Sequence, residues 1–326
     1  MTSGLEVIDP GLHTTVQDLG RVGYRDVGVP ASGPLDRISF HLANALVGNP
    51  IGTPALEMLL LGAAFRVTAA TVRVALVGCS ANIEVGDPTW RRVPAGQSVR
   101  LLCKQTFRVA SLRDSFCAYL AIEGGPELSP VLGSLSTYTR GGIGGFLGRR
   151  LQQLDVLPLK LDRVDLRAES VMAAPLELGL DQPIRVILGP QADYFTANGR
   201  KTFLSSDYKV SLQSDRMGYR LDGPALQHSK GYNIVSDGVV TGSIQVPGSG
   251  KPIVLMVDNP TTGGYPKIAT VISADIPVVG RRAPGRTIRF TAVDLQEAQL
   301  LRQQQETAVR HELNSIQSDL NCRRGL

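Results

Sequence analysis

The residues best equipped for chemistry fall in four turn-rich segments, 28–37, 138–148, 214–220 and 236–267. Together they carry Arg140, Arg216, Arg220 and Lys267 as cations and Asp36, Asp215, Asp237 and Asp258 as carboxylates. Guanidinium forks match carboxylate and phosphate oxygens, and an ammonium holds an anion as a point charge. Surface ion pairing is the simpler account of any one of these residues taken alone. The case for a site rests on their concentration beside glycines and hydroxyls. The densest stretch, 236–275, reads SDGVVTGSIQVPGSGKPIVLMVDNPTTGGYPKIATVISAD. Two strand-like runs, 252–257 and 268–272, flank a loop with Thr261, Thr262, Gly263, Gly264, Tyr265 and Lys267. Paired glycines let backbone approach a bound molecule, and a sheet beneath holds such a loop in place. This stretch is read as one wall of a ligand site.

Other chemistries find little support. The four histidines, His13, His41, His228 and His311, accompany no GxSxG elbow and show no zinc spacing. His41 falls in a mostly apolar helix and His311 in a terminal one. The glycines of 124–148 follow no GxGxxG spacing, and PGSGKP at 247–252 has a proline where a phosphate loop needs Ser or Thr. Cys79, Cys103, Cys117 and Cys322 form no CxxC pair and are expected to be reduced, structural thiols in a cytoplasmic protein. No basic-then-apolar leader and no run of membrane-spanning length is evident. A net charge of +5, spread in short doublets, lacks the one-sided basic face of a nucleic-acid binder, and a small anionic ligand suits it better.

These loops need a scaffold, and the pattern predicts a β-rich one. With 326 residues, 43% hydrophobic and 19% charged, the chain has material for one or two globular domains, and 35 glycines with 20 prolines favour tight turns. Short apolar runs at 65–67, 71–77, 81–85, 98–102, 106–109 and 116–122 predict a sandwich or closed barrel. Further strands are expected at 184–188, 208–213 and 287–293, and a short helix and turn at 192–206. A helix is predicted over 34–47, with Pro34 in its first turn, Asp36 near its positive end and Gly48 as its stop. Its approach offers Ser32 and backbone donors, which either bind an anion or simply cap the helix. Residues 294–320 predict a terminal helix with Val309, Leu313, Ile316 and Leu320 on one face. Strand runs opening Arg73–Leu76 and Arg185–Leu188, each followed later by a strand entering a GG loop, point to two related β units.

The segments GLHTTVQDLGRVGYRDVGVPASGPLDRISFHLANALVGNP, TRGGIGGFLGR, GPQADYF, SDRMGYRLDGP and GSIQVPGSGKPIVLMVDNPTTGGYPKIATVISAD resemble, in this order, the biotin-dependent carboxyltransferase family. The resemblance covers roughly residues 5–293. It takes in the C component of bacterial 5-oxoprolinase, also called the kinase-inhibitor antagonist protein, and the allophanate hydrolase subunit 2 domain of urea carboxylase. It implies two cyclophilin-like β-barrel domains, here 1–165 with the helix 34–47 and 183–293, followed by a C-terminal helix and tail at 294–326. It implies a hetero-oligomer with the B component of 5-oxoprolinase, which is allophanate hydrolase subunit 1-like, and with the A component. That complex uses ATP with Mg2+ to open 5-oxoproline to glutamate. The alternatives are a regulator that binds a kinase inhibitor like the B component, and a carboxyltransferase acting on urea-like amides. No biotinyl-lysine motif is present, so no covalently attached biotin is expected in this chain. Under this resemblance Arg216 and Lys267 bind anions, and Asp36 or Asp237 serves as a proton acceptor or as a metal-phosphate partner. Ser32, Thr262 and Tyr265 orient the ligand, with Arg140, Arg220, Gly263 and Gly264 lining the same cleft, and no residue is assigned to a metal. One departure stands out: Asp258-Asn259-Pro260 replaces the family's usual Asp-Arg-Gln, so an arginine expected beside the loop is missing.

Overall fold

The computed structural model describes residues 3–86, 89–112 and 114–318. Leu320 and Cys322 lie outside them. The chain forms two compact units. The first comprises Met1–Arg21, Ser32–Leu178 and Val309–Leu326, and the second Val22–Ala31 and Gly179–Ala308.

Unit 1 consists of two antiparallel sheets around one core. The six-stranded sheet runs in the order Val156–Pro158, Gly4–Asp9, Ala64–Val67, Thr106–Val109, Asn82–Gly86, Trp90–Pro94. The five-stranded sheet runs His13–Gln17, Ala55–Leu59, Cys117–Ile122, Thr71–Val77, Ser98–Leu102. Leu5, Val7, Phe65, Ile83 and Phe107 from the first meet Val16, Leu56, Met58, Val74, Leu76, Leu101 and Leu120 from the second. Helix α1, Arg37–Leu46, packs on Thr71–Val77 and Cys117–Ile122. Those two central strands are therefore buried on both faces at every position, which is why 74–77 and 117–122 read as continuous apolar stretches instead of alternating, with Arg73 the one buried charge in the pair. The structure adds Ala55–Leu59 and Trp90–Pro94 to the expected strands.

Unit 2 is built on an eight-stranded sheet. Its order is Thr287–Ile288, Tyr208–Val210, Gly218–Asp222, Ile253–Leu255, Ser243–Gln245, Lys267–Val271, Ile184–Leu188, Phe290–Ala292. The two end strands are neighbours in the chain, separated only by Arg289, so the sheet nearly closes on itself as a barrel. The single strand expected at 287–293 is split for this reason: its first part pairs with Tyr208–Val210 and its second with Ile184–Leu188. Tyr208, Tyr219, Ile244, Val254, Ile268 and Phe290 are fully buried in the unit. Helix α2, Ala197–Ser205, stacks its Phe203 on Phe290. A separate two-residue ladder, Asp237–Gly238 against Thr262–Gly263, stands apart from this sheet.

Two more helices follow, α3 at Ile276–Arg281 and α4 at Leu295–Ser315. The last is shorter than expected. Val309 and Leu313 form a half-buried stripe on it, and Ile316, also half-buried, falls just past its end. No helix among the described residues is long and apolar enough to cross a membrane. The molecule is mainly β, with four α-helices among the described residues, the last of them C-terminal.

Candidate functional site

Two strands of the unit 2 sheet bring a pair of polar side chains beneath the glycine loop. Gln245 and Lys267 are directly opposite one another in the register of Ser243–Gln245 and Lys267–Val271, so their side chains leave the same face. Both are buried, Lys267 at 2% and Gln245 at 6% exposure. The Lys267 ammonium donates to Asp237 Oδ2 at 2.6 Å and to the Gly238 carbonyl at 3.1 Å. Asp237 is the accessible half of this ion pair, with its side chain 52% exposed against 3% for Lys267. Gln191 joins them: its Nε2 donates to Asp237 Oδ2 at 3.3 Å, while its Oε1 accepts the Lys267 backbone N–H at 3.1 Å. Asp237 Oδ1 accepts the Gly238 N–H at 2.8 Å. The Lys267 ammonium, aided by these N–H donors, holds the Asp237 carboxyl below the usual carboxylate range.

The Gln245 amide completes the cluster. Its Nε2 is buried and has no hydrogen-bond partner among the described residues. It lies against Gly263, where a Cβ would meet it at 2.2 Å. Gly263 is in turn the register partner of Asp237. A side chain at this position would therefore have to move the Gln245 amide beneath it.

Below the loop, Arg216 and Asp258 form a buried fork, Nε to Oδ2 at 2.9 Å and Nη2 to Oδ1 at 3.2 Å. Next to it Asn259 is fully buried. Its amide donates to Thr241 Oγ1 at 3.1 Å and to the Met256 carbonyl, and its Oδ1 accepts Arg25 Nη2 at 3.0 Å. Arg25 also donates to the Val239 carbonyl at 2.7 Å. A guanidinium therefore does stand at the Asp258-Asn259-Pro260 turn, supplied by the segment Val22–Ala31. Within unit 2, Thr262 and Tyr265 are exposed beside the cluster and Gly263 and Gly264 are half-buried. Arg220 points from the exposed side of Gly218–Asp222 and makes none of the contacts of the Lys267 cluster.

The remaining expected residues belong to unit 1. Asp36 is the N-cap of α1: its carboxylate accepts Ile38 N–H and Ser39 N–H at 3.0 and 3.2 Å, and also the Ser39 hydroxyl. Its own N–H donates to Tyr119 Oη at 2.9 Å. Tyr119 donates to Glu57 Oε2 at 2.5 Å, and Glu57 also accepts the Leu35 N–H at 2.9 Å. Asp36, Glu57 and Tyr119 are all fully buried, and burial drives the Tyr119 phenol well above its ordinary range. The helix starts at Arg37, later than expected, with Pro34 outside it, and the donors of its first turn are taken by its own cap. Ser32 is buried with φ at +57°, and its Oγ has no partner among the described residues. Arg140 is exposed on a small turn bridged between Tyr138 and Ile143. Unit 1 also contains a cavity of about 380 Å³ lined mainly by apolar groups such as Val77, Met172 and Leu176. Burial pushes the thiol of Cys79 on its wall up to about 12, so it presents no thiolate.

Sequence reasoning passed over Gln191, Gln245 and Arg25. The signal existed for two of them. Gln191 sits inside the GPQADYF segment, and Gln245 is the one polar residue of the apolar run Ile244-Gln245-Val246 entering a turn. Arg25 had no local signal, since its partner lies more than two hundred residues away.

Residues 27–292 match the family described as carboxyltransferase domain, subdomain A and B, and the chain belongs to that family. It is 38% identical over 307 residues to the C component of 5-oxoprolinase from Escherichia coli strain K12, covering 93% of this chain and 95% of that protein. The protein of the same name from Haemophilus influenzae is 35% identical over the same shares. Among solved structures, the Kluyveromyces lactis urea amidolyase superposes with a TM-score of 0.84 at 29% identity over 97% of this chain, which spans 21% of that much longer protein.

Proposed function

We propose that the chain is the C component of an ATP-dependent 5-oxoprolinase, working in the cytoplasm with the A and B components. The observation that carries this reading is the near end-to-end match to proteins of that name, covering 95% of their length. In this reading ATP phosphorylates the lactam oxygen and water adds to the activated carbon. The C–N bond then breaks with the nitrogen taking a proton, and a second water hydrolyses the acyl phosphate to glutamate and phosphate. What this chain contributes is anion recognition. Lys267 binds an anionic oxygen, Asp237 balances its charge while it is unoccupied, and Thr262, Gly263, Gly264 and Tyr265 shape the approach. The lowered affinity of Asp237 for protons makes it a poor base at neutral pH, so charge balance suits it better than proton transfer. Asp36, sealed among Ser39, Tyr119 and its own helix, serves to position the loop that leads into α1. Arg216 serves the same end for the glycine loop through Asp258.

Among the described residues no group of three His, Cys, Asp or Glu side chains is placed to hold a metal ion. Mixing this chain with the purified A and B components, ATP and 5-oxoproline should give glutamate and phosphate at a rate that vanishes when this chain is left out. Full turnover without it would reject the assignment. A second reading, carboxyl transfer to a urea-like amide, draws on the superposition with urea amidolyase. Carboxybiotin decarboxylation by the chain with its partner would favour that reading over lactam opening.

A further inference from the structure

Asp237 covers Lys267 in a way that matters for binding. The ammonium is almost wholly buried, and the carboxylate that faces it is half in solvent. That carboxylate takes the Lys267 ammonium, the Gln191 amide and the Gly238 N–H, which is the donor set a bound carboxylate would want. It is carried on a two-residue ladder separate from the barrel sheet. Gly263, directly across that ladder from Asp237, lies on the unpartnered Gln245 donor. A buried donor without a partner costs free energy, and here the element that seals it is the same one that carries Asp237.

We propose that Asp237 is an internal stand-in for a ligand carboxylate, and that a planar carboxylate ligand displaces it from Lys267. The incoming group then receives the Lys267 ammonium and the Gln191 amide. As the 237–238 and 262–263 ladder lifts, Gln245 Nε2 is uncovered as a further donor. Gln245 thereby becomes a specificity-determining residue for ligands that present a second acceptor, such as a ring carbonyl, next to the carboxylate. This rests on Lys267 being the anion binder in the proposed function. It adds that the free protein is held closed by its own acid, so affinity is set by competition between two carboxylates.

The test uses the full chain alone, with calorimetric titration of L-5-oxoproline, of 2-pyrrolidinone (the same lactam without a carboxylate) and of inorganic phosphate. Asp237→Asn keeps the shape of the cover and removes its charge, and Asp237→Ala removes it altogether. Both should bind L-5-oxoproline at least ten-fold more tightly than the wild type, with no gain for 2-pyrrolidinone. Adding Gln245→Leu to Asp237→Asn should take back most of that gain. In the wild type, the side-chain amide NMR signals of Gln191 and Gln245 should shift together on titration. Equal or weaker binding by both folded Asp237 variants would overturn the proposal, even if turnover with the A and B components is normal. Tighter binding of phosphate than of L-5-oxoproline would overturn the carboxylate class. Absence of turnover with a preserved ten-fold gain would leave the displacement standing and sink the 5-oxoprolinase reading instead.

Discussion

Each unit buries a polar cluster, and the two clusters are built on opposite plans. In unit 1, Asp36, Glu57 and Tyr119 are fully buried and interlocked with backbone donors of the loop that starts α1. Nothing in that cluster faces solvent. In unit 2, Lys267 is just as buried, but its partner Asp237 is half exposed and the neighbouring Gln245 donor is left unsatisfied. Polar groups sealed on all sides specify a loop conformation. Polar groups sealed on one side and matched on the other by an exposed charge are the arrangement on which the proposed binding site rests. Conspicuous residue types do not separate the two cases, because Asp36 and Asp237 look alike in sequence.

The contrast can be broken at several points. The largest stability loss is expected from Arg216→Ala, which strands Asp258 in a buried setting and should cost about 3 to 5 kcal/mol in chemical denaturation. Glu57→Leu leaves the Leu35 N–H and the Tyr119 hydroxyl without their acceptor. It should cost about 3 kcal/mol, and since this is a scaffold effect, Kd for an anionic ligand measured on the folded fraction should stay the same.

Asp18 offers a titratable version of the sealed plan. Burial alone would raise its pKa, but the hydroxyls of Ser134 and Ser136 and the N–H groups of Leu135 and Gly20 outweigh it and hold the carboxyl below its ordinary value of 3.8. A carboxyl whose folded pKa is depressed contributes stability that is complete above the unfolded value and is lost as pH falls through the folded one. Asp18→Asn should therefore cost about 2 kcal/mol at neutral pH, and the gap to wild type should narrow below pH 3.8. Paired denaturation curves across that range check this. The smallest effect is expected at Gly263→Ala. Its new methyl meets most closely the movable end of Gln245 and, at 3.1 Å, Val239. Stability should fall by about 1 kcal/mol, while the Gln245 amide signal moves markedly.

The scaffold was largely legible because it rests on local patterns. Strands 71–77, 98–102, 106–109 and 184–188 appear with the expected bounds, since apolar β-branched runs between turn residues leave few other options. The start of α1 was misplaced because Pro34 and Ser32 both look like helix openers, and only the side chain of Asp36 reaches the first-turn donors. The site was legible in part. Lys267 and the glycine pair were marked by composition, and Asp237 by its neighbourhood. Which of the candidate acids meets Lys267 depends on a register across 30 residues, and no pattern in the chain encodes that directly. Gln245 stayed hidden for a physical reason: a buried glutamine inside an apolar strand differs from an exposed one only in what the next layer places above it.

The central claim is that Lys267 is the anion-binding group of one component of a 5-oxoprolinase. The most direct measurement is ATP-dependent glutamate formation from 5-oxoproline by the A and B components with this chain carrying Lys267→Met. Loss of a buried charge that meets the substrate should lower the rate by at least about a hundred-fold, with melting temperature and assembly with the other two components maintained. Turnover within a factor of about two of the wild type, in a complex of the same composition, would contradict it.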